Sequence, residues 1–123
     1  MMNALPLVVV VDDDESVRES LPDLLKEFRT VVRAFSSGEE FFSSGTIPTA
    51  KCLVLDVGMP GMSGPDIQQE LKRRKQDIPI IFITAQRDED LRSRLLIDGA
   101  IQCLFKPFSD TDLLEALNAA LGR

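Results

Sequence analysis

Three segments of this sequence are short and continuously apolar, and they limit the folds open to the chain. They read LVVVV (residues 7–11), CLVLD (residues 52–56) and IPIIFIT (residues 78–84). A strand covered on one face alternates apolar and polar residues, whereas a strand buried on both faces stays apolar. The three segments therefore predict central strands of a parallel sheet with helices on both faces.

Two further runs, VVRAF (residues 31–35) and IQCLF (residues 101–105), alternate in part and predict edge strands. Helical patterns separate the five predicted strands. In the first of these, residues 15–28, apolar side chains recur every three to four residues, as on one face of a helix. Pro22 lies inside this segment, where we expect a bend rather than the end of the helix.

The remaining helices are each bounded by residue types that commonly cap helices. These are Ser37 with Glu40 as a capping box for a short second helix, Ser63 for the third, Gly99 as an αL cap for the fourth (residues 88–98), and Ser109 or Asp110 for the fifth.

Strands and helices that alternate with short connections imply right-handed crossovers and a doubly wound sheet. We therefore expect one domain over residues 1–123 with an α/β, flavodoxin-like (βα)5 fold. Its five-stranded parallel sheet would have the order 2-1-3-4-5. In such sheets ligands bind beyond the carboxyl ends of the strands.

The charge and composition exclude several classes of function. The chain has 123 residues, a formal net charge of −6 and a pI of about 4.6. Surfaces that bind nucleic acid carry an excess of Lys and Arg, so we expect no direct nucleic acid binding by this domain. Histidine is absent, which excludes imidazole-based triads and most zinc sites. Cys52 and Cys103 have no metal-like spacing and are expected to be buried, reduced thiols.

No apolar run approaches the ~20 residues that a membrane-spanning helix needs. The first residues, MMNALPLVVVVDDDE, lack the basic head and the small-residue cleavage site of a signal peptide. We therefore expect a cytoplasmic protein with no membrane association.

Polar residues follow four of the predicted strands. Asp12 and Asp13 follow the first strand, Asp56 ends the third, Thr84 ends the fourth and Lys106 follows the fifth. In the order 2-1-3-4-5 these strands are neighbours, so their carboxyl ends would bring acids, a hydroxyl and an ammonium into one crevice.

Carboxylates that lie close together repel and need a cation. Ligands made only of oxygen favour Mg²⁺, and the loop after Asp56 can add the backbone carbonyl of Gly58. A carboxylate such as Asp56 can attack a phosphoryl group when a metal ion and Lys106 neutralise the two anions and Thr84 donates a hydrogen bond. The pattern thus predicts phosphoryl chemistry on Asp56.

Other interpretations of the same residues remain open. An acidic cluster is often a solvated surface, and Asp14 is expected only to cap the first helix. A phosphohydrolase with an aspartyl-phosphate intermediate, as in the haloacid-dehalogenase-like enzymes, would carry a second acid at the position of Gly58. A flavodoxin-like mononucleotide-binding protein would need a Ser/Thr/Gly-rich loop after the first strand, where Asp12 and its acidic neighbours would repel phosphate.

The sequence resembles the receiver domain of bacterial two-component response regulators along nearly its whole length. The matching segments are VVVVDDDESVRESL, FSSGEEF, CLVLDVGMPGMSG, IPIIFITA and DGAIQCLFKPFSDTDLLEAL. FSSGEEF and KPFSDTDLLEAL are most similar to the branch whose receivers precede a helix-turn-helix output domain. The alternative is a single-domain regulator without an attached output.

The resemblance implies a role for each site residue. Asp56 would accept a phosphoryl group from a sensor histidine kinase. Asp12 and Asp13 would hold Mg²⁺ together with the Asp56 side chain and the Gly58 carbonyl. Thr84 and Lys106 would contact the phosphoryl group, and the Lys106–Pro107 peptide would be cis. The protein would then be a switch that controls dimerisation and, through the output, transcription, with self-catalysed phosphorylation and dephosphorylation rather than enzymatic turnover.

The sequence departs from the family pattern at three positions near this site. Cys103 stands where an aromatic residue is usual, so coupling to the fourth helix is expected to differ. In the family, the positions that hold Gly58 and Gln86 here flank the route of attacking water, so the resemblance implies that the bare Gly58 leaves the phosphoryl group more exposed. On the fourth helix the 100° turn per residue turns Ile97 away from Leu95, so Ile97 is expected to be partly exposed. We expect it to belong to a partner surface on helix four and strand five.

Overall fold

The structure, a computed structural model, describes residues 4–123 and contains one parallel five-stranded sheet in the order β2-β1-β3-β4-β5. Strands and helices alternate along the chain. Their bounds are β1 Leu7–Val11, α1 Glu15–Glu27, β2 Val31–Phe35, α2 Gly38–Ser43, β3 Ala50–Asp56, α3 Gly64–Arg73, β4 Ile80–Thr84, α4 Glu89–Ile97, β5 Gln102–Phe105 and α5 Asp110–Leu121. The predicted flavodoxin-like fold, its strand order and its two edge strands are confirmed.

Alternate residues of each strand point to opposite faces of the sheet, and a separate core covers each face. On one face Val9 and Val11 of β1 pack with side chains of α2, α3 and α4. On the other, Val8 and Val10 pack with side chains of α1 and α5. All four valines are fully buried, as the unbroken apolar run predicted.

Three strands begin at positions that differ from the prediction. β3 begins at Ala50, two residues early, because Ala50 pairs with Leu7 of β1. β4 begins at Ile80 rather than at residue 78 because Pro79 has no N–H to donate to the ladder, although its carbonyl accepts from Leu53. β5 begins one residue later than predicted.

The helix starts are confirmed in part. Ser63 and Asp66 form a reciprocal capping box at α3. The box predicted at α2 is wrong in one half: Ser37 accepts from the Glu40 N–H, but the Glu40 carboxylate accepts from the N–H of Ser36. An N–H one residue further out lies within reach of this longer side chain.

The other helix ends follow the expected chemistry. α1 continues through Pro22 and ends at Glu27, one residue before the predicted end. Ser109, not Asp110, caps α5. α4 ends at Ile97 and the chain turns away at Gly99, whose φ of 108° favours glycine. Within residues 4–123 no helix combines the length and the apolar character that crossing a membrane requires.

Candidate functional site

The carboxyl ends of β1, β3, β4 and β5 meet at one edge of the sheet and line a cleft of about 390 Å³. The walls include every site residue that the sequence analysis predicted: Asp12, Asp13, Asp56, Gly58, Thr84 and Lys106. A larger opening of about 700 Å³ lies near the amino end of β1. Within residues 4–123, the residues that line this opening do not include a cluster of three acids that could bind a metal ion.

Lys106 and two carboxylates form the centre of the cleft. The Lys106 Nζ atom lies 3.2 Å from Asp12 Oδ2 and 3.8 Å from Asp56 Oδ1. The Asp12 side chain is 1% exposed and that of Asp56 is 11% exposed. One partly buried ammonium therefore lies near two acids, and part of the negative charge stays uncompensated.

The burial and the neighbouring charges change the pKa of the Asp56 carboxyl. Burial, and after it the charge of Asp12, raises the pKa of the Asp56 carboxyl to about 6. Lys106 opposes the shift and Asp13 adds to it. Each of these effects follows from placing a carboxylate in a partly water-free cleft beside like charges.

The arrangement can hold a hard metal ion. Asp12, Asp13 and Asp56 each offer a carboxylate oxygen, and these atoms lie within 4.8 Å of one another. A set of ligands that contains only oxygen suits Mg²⁺ or Ca²⁺ rather than a softer metal. Gly58 lines the same cleft and can contribute its carbonyl. The residues present therefore fit a divalent cation.

The β1–α1 loop fixes Asp12 in place. Its Oδ1 atom accepts from the Asp14 N–H at 2.9 Å, and its backbone carbonyl accepts from Arg18 Nη1 at 3.0 Å. Asp14 itself caps α1 by accepting from Ser16, as predicted. Arg18 was not predicted to contribute, because its contact to the loop depends on the turn of α1 that brings residue 18 back over residue 12.

Thr84 is buried at the end of β4. Its hydroxyl oxygen accepts from the Gln86 N–H at 3.1 Å, and its backbone carbonyl accepts from the Lys106 N–H at 2.8 Å. The Lys106–Pro107 peptide is cis, as the resemblance implied. Thr84 and Lys106 are thus held together by the backbone of two adjacent strands.

Gly64 packs closely against the backbone of Asp56, a contact that the sequence analysis did not predict. A Cβ at this position would lie 2.4 Å from the Asp56 carbonyl oxygen and 3.1 Å from Phe82 Cε1. By contrast, a Cβ at Gly58 would meet nothing within 4 Å. The close approach in the loop after Asp56 therefore occurs where α3 begins. A glycine between a capping serine and Pro65 was the available signal.

Two expectations outside the cleft are confirmed. Cys52 and Cys103 are free and buried, on opposite faces of the sheet. Ile97 points to solvent while Leu95 on the same helix is buried, and the Ile97 exposure of 83% exceeds the partial exposure that was predicted.

A doubly wound parallel sheet with clustered acids and a lysine at its carboxyl edge places the chain among the flavodoxin-like α/β proteins with an acidic cleft that could hold a metal ion. Residues 8–118 match the family described as response regulator receiver domain, and the chain belongs to that family. It is thus a receiver domain of the two-component response regulators, a family of signalling switches in which phosphorylation of an aspartate is typical.

Several relatives share most of the chain. Nodulation protein W of Bradyrhizobium diazoefficiens is 45% identical over 117 residues, which cover 95% of this chain and 52% of that protein. The transcriptional regulatory protein TdiR of Thauera aromatica is 43% identical over 115 residues, covering 94% of this chain and 51% of that protein. The chain therefore spans about half the length of these relatives.

A solved structure of the response regulator StyR superposes on this chain with a TM-score of 0.88. The two sequences are 43% identical, and the match covers 97% of this chain and 60% of the StyR chain.

Proposed function

We propose that Asp56 is the phosphoacceptor of this receiver domain and that it takes its phosphoryl group from a phosphohistidine of a sensor histidine kinase. The observation that carries the proposal is the position of the Asp56 carboxylate at the end of β3, 3.8 Å from the Lys106 ammonium and within 4.8 Å of acidic oxygens of Asp12 and Asp13. Family membership supports the chemistry, since aspartate phosphorylation is typical of receivers.

In the reaction an Asp56 carboxylate oxygen forms a bond to phosphorus while the bond from phosphorus to the donor nitrogen breaks. The product is an acyl phosphate, and the imidazole of the donor leaves with its electron pair. Because the pKa of Asp56 is raised only to about 6, the carboxyl is largely ionised and nucleophilic at neutral pH.

The other cleft residues reduce the repulsion between two anions. The Lys106 ammonium lies near both Asp56 and Asp12. It can therefore form an ion pair with the phosphoryl oxygens as negative charge develops on them. The Thr84 hydroxyl accepts from Gln86, which leaves its proton free to be donated to a phosphoryl oxygen.

We infer that Mg²⁺ is the cofactor and that Asp12, Asp13, Asp56 and the Gly58 carbonyl hold it. When bound, it would offset part of the negative charge of the three acids and of a phosphoryl oxygen, together with Lys106. The set of oxygen ligands supports this choice.

We further propose that phosphorylation changes the conformation of the surface formed by α4 and β5, and that the protein dimerises through this surface. The exposed Ile97 supports this surface, because a large aliphatic side chain that is 83% exposed is stabilised when a partner covers it.

Since TdiR is named a transcriptional regulatory protein and is about twice as long as this chain, we propose that the parent protein carries a helix-turn-helix output and controls transcription. The acidic charge of this domain favours DNA contact by that output rather than by residues 4–123.

The test is incubation with acetyl phosphate and Mg²⁺ followed by intact mass measurement. The parent should gain the mass of one phosphoryl group, and chelation of the metal should prevent it. Asp56→Asn should gain nothing, whereas Asp77→Asn, which removes an exposed carboxylate from the loop before β4, should react like the parent. A phosphoryl group that persists in Asp56→Asn would overturn the assignment.

A further inference from the structure

The Phe105 ring of β5 lies close to two arginines. The guanidinium carbon of Arg87 is 5.7 Å from the ring centroid and that of Arg92 is 5.6 Å away. Both distances fall within the ~6 Å at which a cation is attracted to the face of an aromatic ring. Phe105 is half-buried against the core and pairs directly with Thr84 in the β4–β5 register.

The two arginines are held differently. Arg92 on α4 donates from Nη2 to Gln102 Oε1 at 3.1 Å and has Glu89 Oε2 3.8 Å from its Nη1 atom. Arg87 is exposed, and across residues 4–123 its guanidinium has neither an ion pair nor a side-chain hydrogen bond. Among these kinds of interaction, the one that the Arg87 guanidinium makes within the described residues is therefore with the Phe105 ring.

Arg87 lies in the β4–α4 loop, directly after two residues that line the cleft. Ala85 and Gln86 form part of the cleft wall, and the Gln86 N–H donates to the Thr84 hydroxyl. If the Thr84 hydroxyl moves towards a phosphoryl group, the Gln86 N–H must follow it or lose its acceptor. Either change would alter the backbone that leads directly into Arg87, and with it the position of the guanidinium over the ring.

We propose that the contact between Arg87 and Phe105 holds the β4–α4 loop in its phosphate-free position, and that Phe105 is thereby a positioning residue for Thr84. The proposal rests on the phosphoacceptor function proposed above. Cys103, at the place where the family usually has an aromatic residue, is small and 2% exposed. In this chain the ring that links the loop to α4 is instead two residues further along the same strand face.

A contact made in only one of two states shifts the equilibrium between them by its own strength. Loss of one partly exposed cation–π contact corresponds to a change of about two- to five-fold in an equilibrium constant. Phe105→Leu, which keeps an apolar side chain but removes the ring, should therefore tighten binding of a phosphoryl mimic by about that factor. Arg87→Gln should have the same effect, and Phe105→Tyr, which keeps the ring, should resemble the parent.

The chain supplies a matched control. Arg74 lies 4.5 Å from the centroid of the Phe42 ring, far from the cleft in sequence and on other elements. Phe42→Leu removes a closer contact of the same kind from a ring that is likewise half-buried. It should leave binding of the mimic unchanged.

The experiment is a titration of each ¹⁵N-labelled variant with beryllofluoride in the presence of Mg²⁺, followed through the amide signals of residues 84–92. Tighter binding in Phe105→Leu and Arg87→Gln, with no further gain in the double variant, supports the proposal. Binding by Arg87→Gln that equals that of Phe42→Leu and the parent overturns it, whether or not Phe105→Leu folds. A parent that binds no beryllofluoride would sink the proposed function and this inference with it.

Discussion

Replacing Asp56 with asparagine should stabilise the metal-free protein even though it removes the central residue of the proposed site. The Asp56 pKa is raised from 3.8 to about 6 in the folded protein, first by burial and then by the charge of Asp12. A carboxyl with a raised pKa resists ionisation in the folded state, so its ionised form lowers the free energy of unfolding.

The magnitude follows from the shift. A difference of about two pKa units corresponds to at most about 3 kcal/mol at a pH above both values. The Asp56 side chain keeps 11% exposure, and asparagine loses the attraction to Lys106. We therefore expect a net gain of about 1–2 kcal/mol for Asp56→Asn at pH 7.5, less than the full shift because of solvent screening.

The pH dependence of the free energy of unfolding distinguishes this electrostatic cause from other effects of the substitution. Below pH 3.8 the carboxyl is protonated in both the folded and the unfolded states, and the charge penalty disappears. Between 3.8 and about 6 the unfolded state ionises first, so the penalty grows as the pH rises and is complete above 6. The advantage of Asp56→Asn over the parent should follow this profile.

Urea unfolding in EDTA, followed by circular dichroism, measures the effect, because the chain has no Trp or Tyr for fluorescence. Asp77→Asn serves as the exposed control and should change the free energy of unfolding by less than about 0.5 kcal/mol. Saturating Mg²⁺ should stabilise the parent more than Asp56→Asn. A variant that is less stable than the parent at every pH, or whose gain does not depend on pH, would refute the electrostatic reasoning.

Three further predictions concern packing, charge and surface. Gly64→Ala should lower the free energy of unfolding by about 1–3 kcal/mol because its Cβ would overlap the Asp56 carbonyl, whereas Gly58→Ala, with open space around the new Cβ, should stay within about 0.5 kcal/mol in the same urea assay. Lys106→Met should slow phosphorylation by acetyl phosphate at least about ten-fold while Mg²⁺ binding, measured by calorimetry, persists; unchanged labelling would remove Lys106 from the mechanism. Ile97→Glu should leave stability within about 0.5 kcal/mol and weaken the dimer formed after phosphorylation, as judged by light scattering; a dimer as strong as the parent's would exclude this residue from the interface.

The sequence was sufficient for the fold because its strongest signals are local. The run LVVVV predicted a doubly covered strand at β1, and the five strands were located from three such apolar runs and two partly alternating ones, with errors of one or two residues at the starts of β3, β4 and β5. The acids and Lys106 came together because parallel strands place their carboxyl ends at one edge. Both inferences need only the order of the elements.

Contacts between elements were not readable in this way. That Gly64 touches the Asp56 carbonyl depends on how closely α3 packs behind β3, and the Arg87–Phe105 contact depends on the path of the β4–α4 loop. Even the start of β3 escaped prediction, since exposed Lys51 interrupts the apolar pattern while its backbone continues the strand. Side-chain distances of a few ångströms are set by packing that periodicity does not encode.

The cleft also shows why equivalent-looking acids can take different roles. Asp12 is 1% exposed, and its two oxygens accept from the Asp14 N–H and the Lys106 ammonium, which hold the carboxylate in place at the buried side of the cleft. Asp56 lies further from Lys106 and is more open to the cleft. A nucleophile must be accessible to the phosphoryl donor, and of these two acids Asp56 is the more exposed. The difference arises from the β1–α1 loop, because the same turn that lets Asp14 cap α1 directs its N–H onto Asp12 and leaves Asp56 available for chemistry.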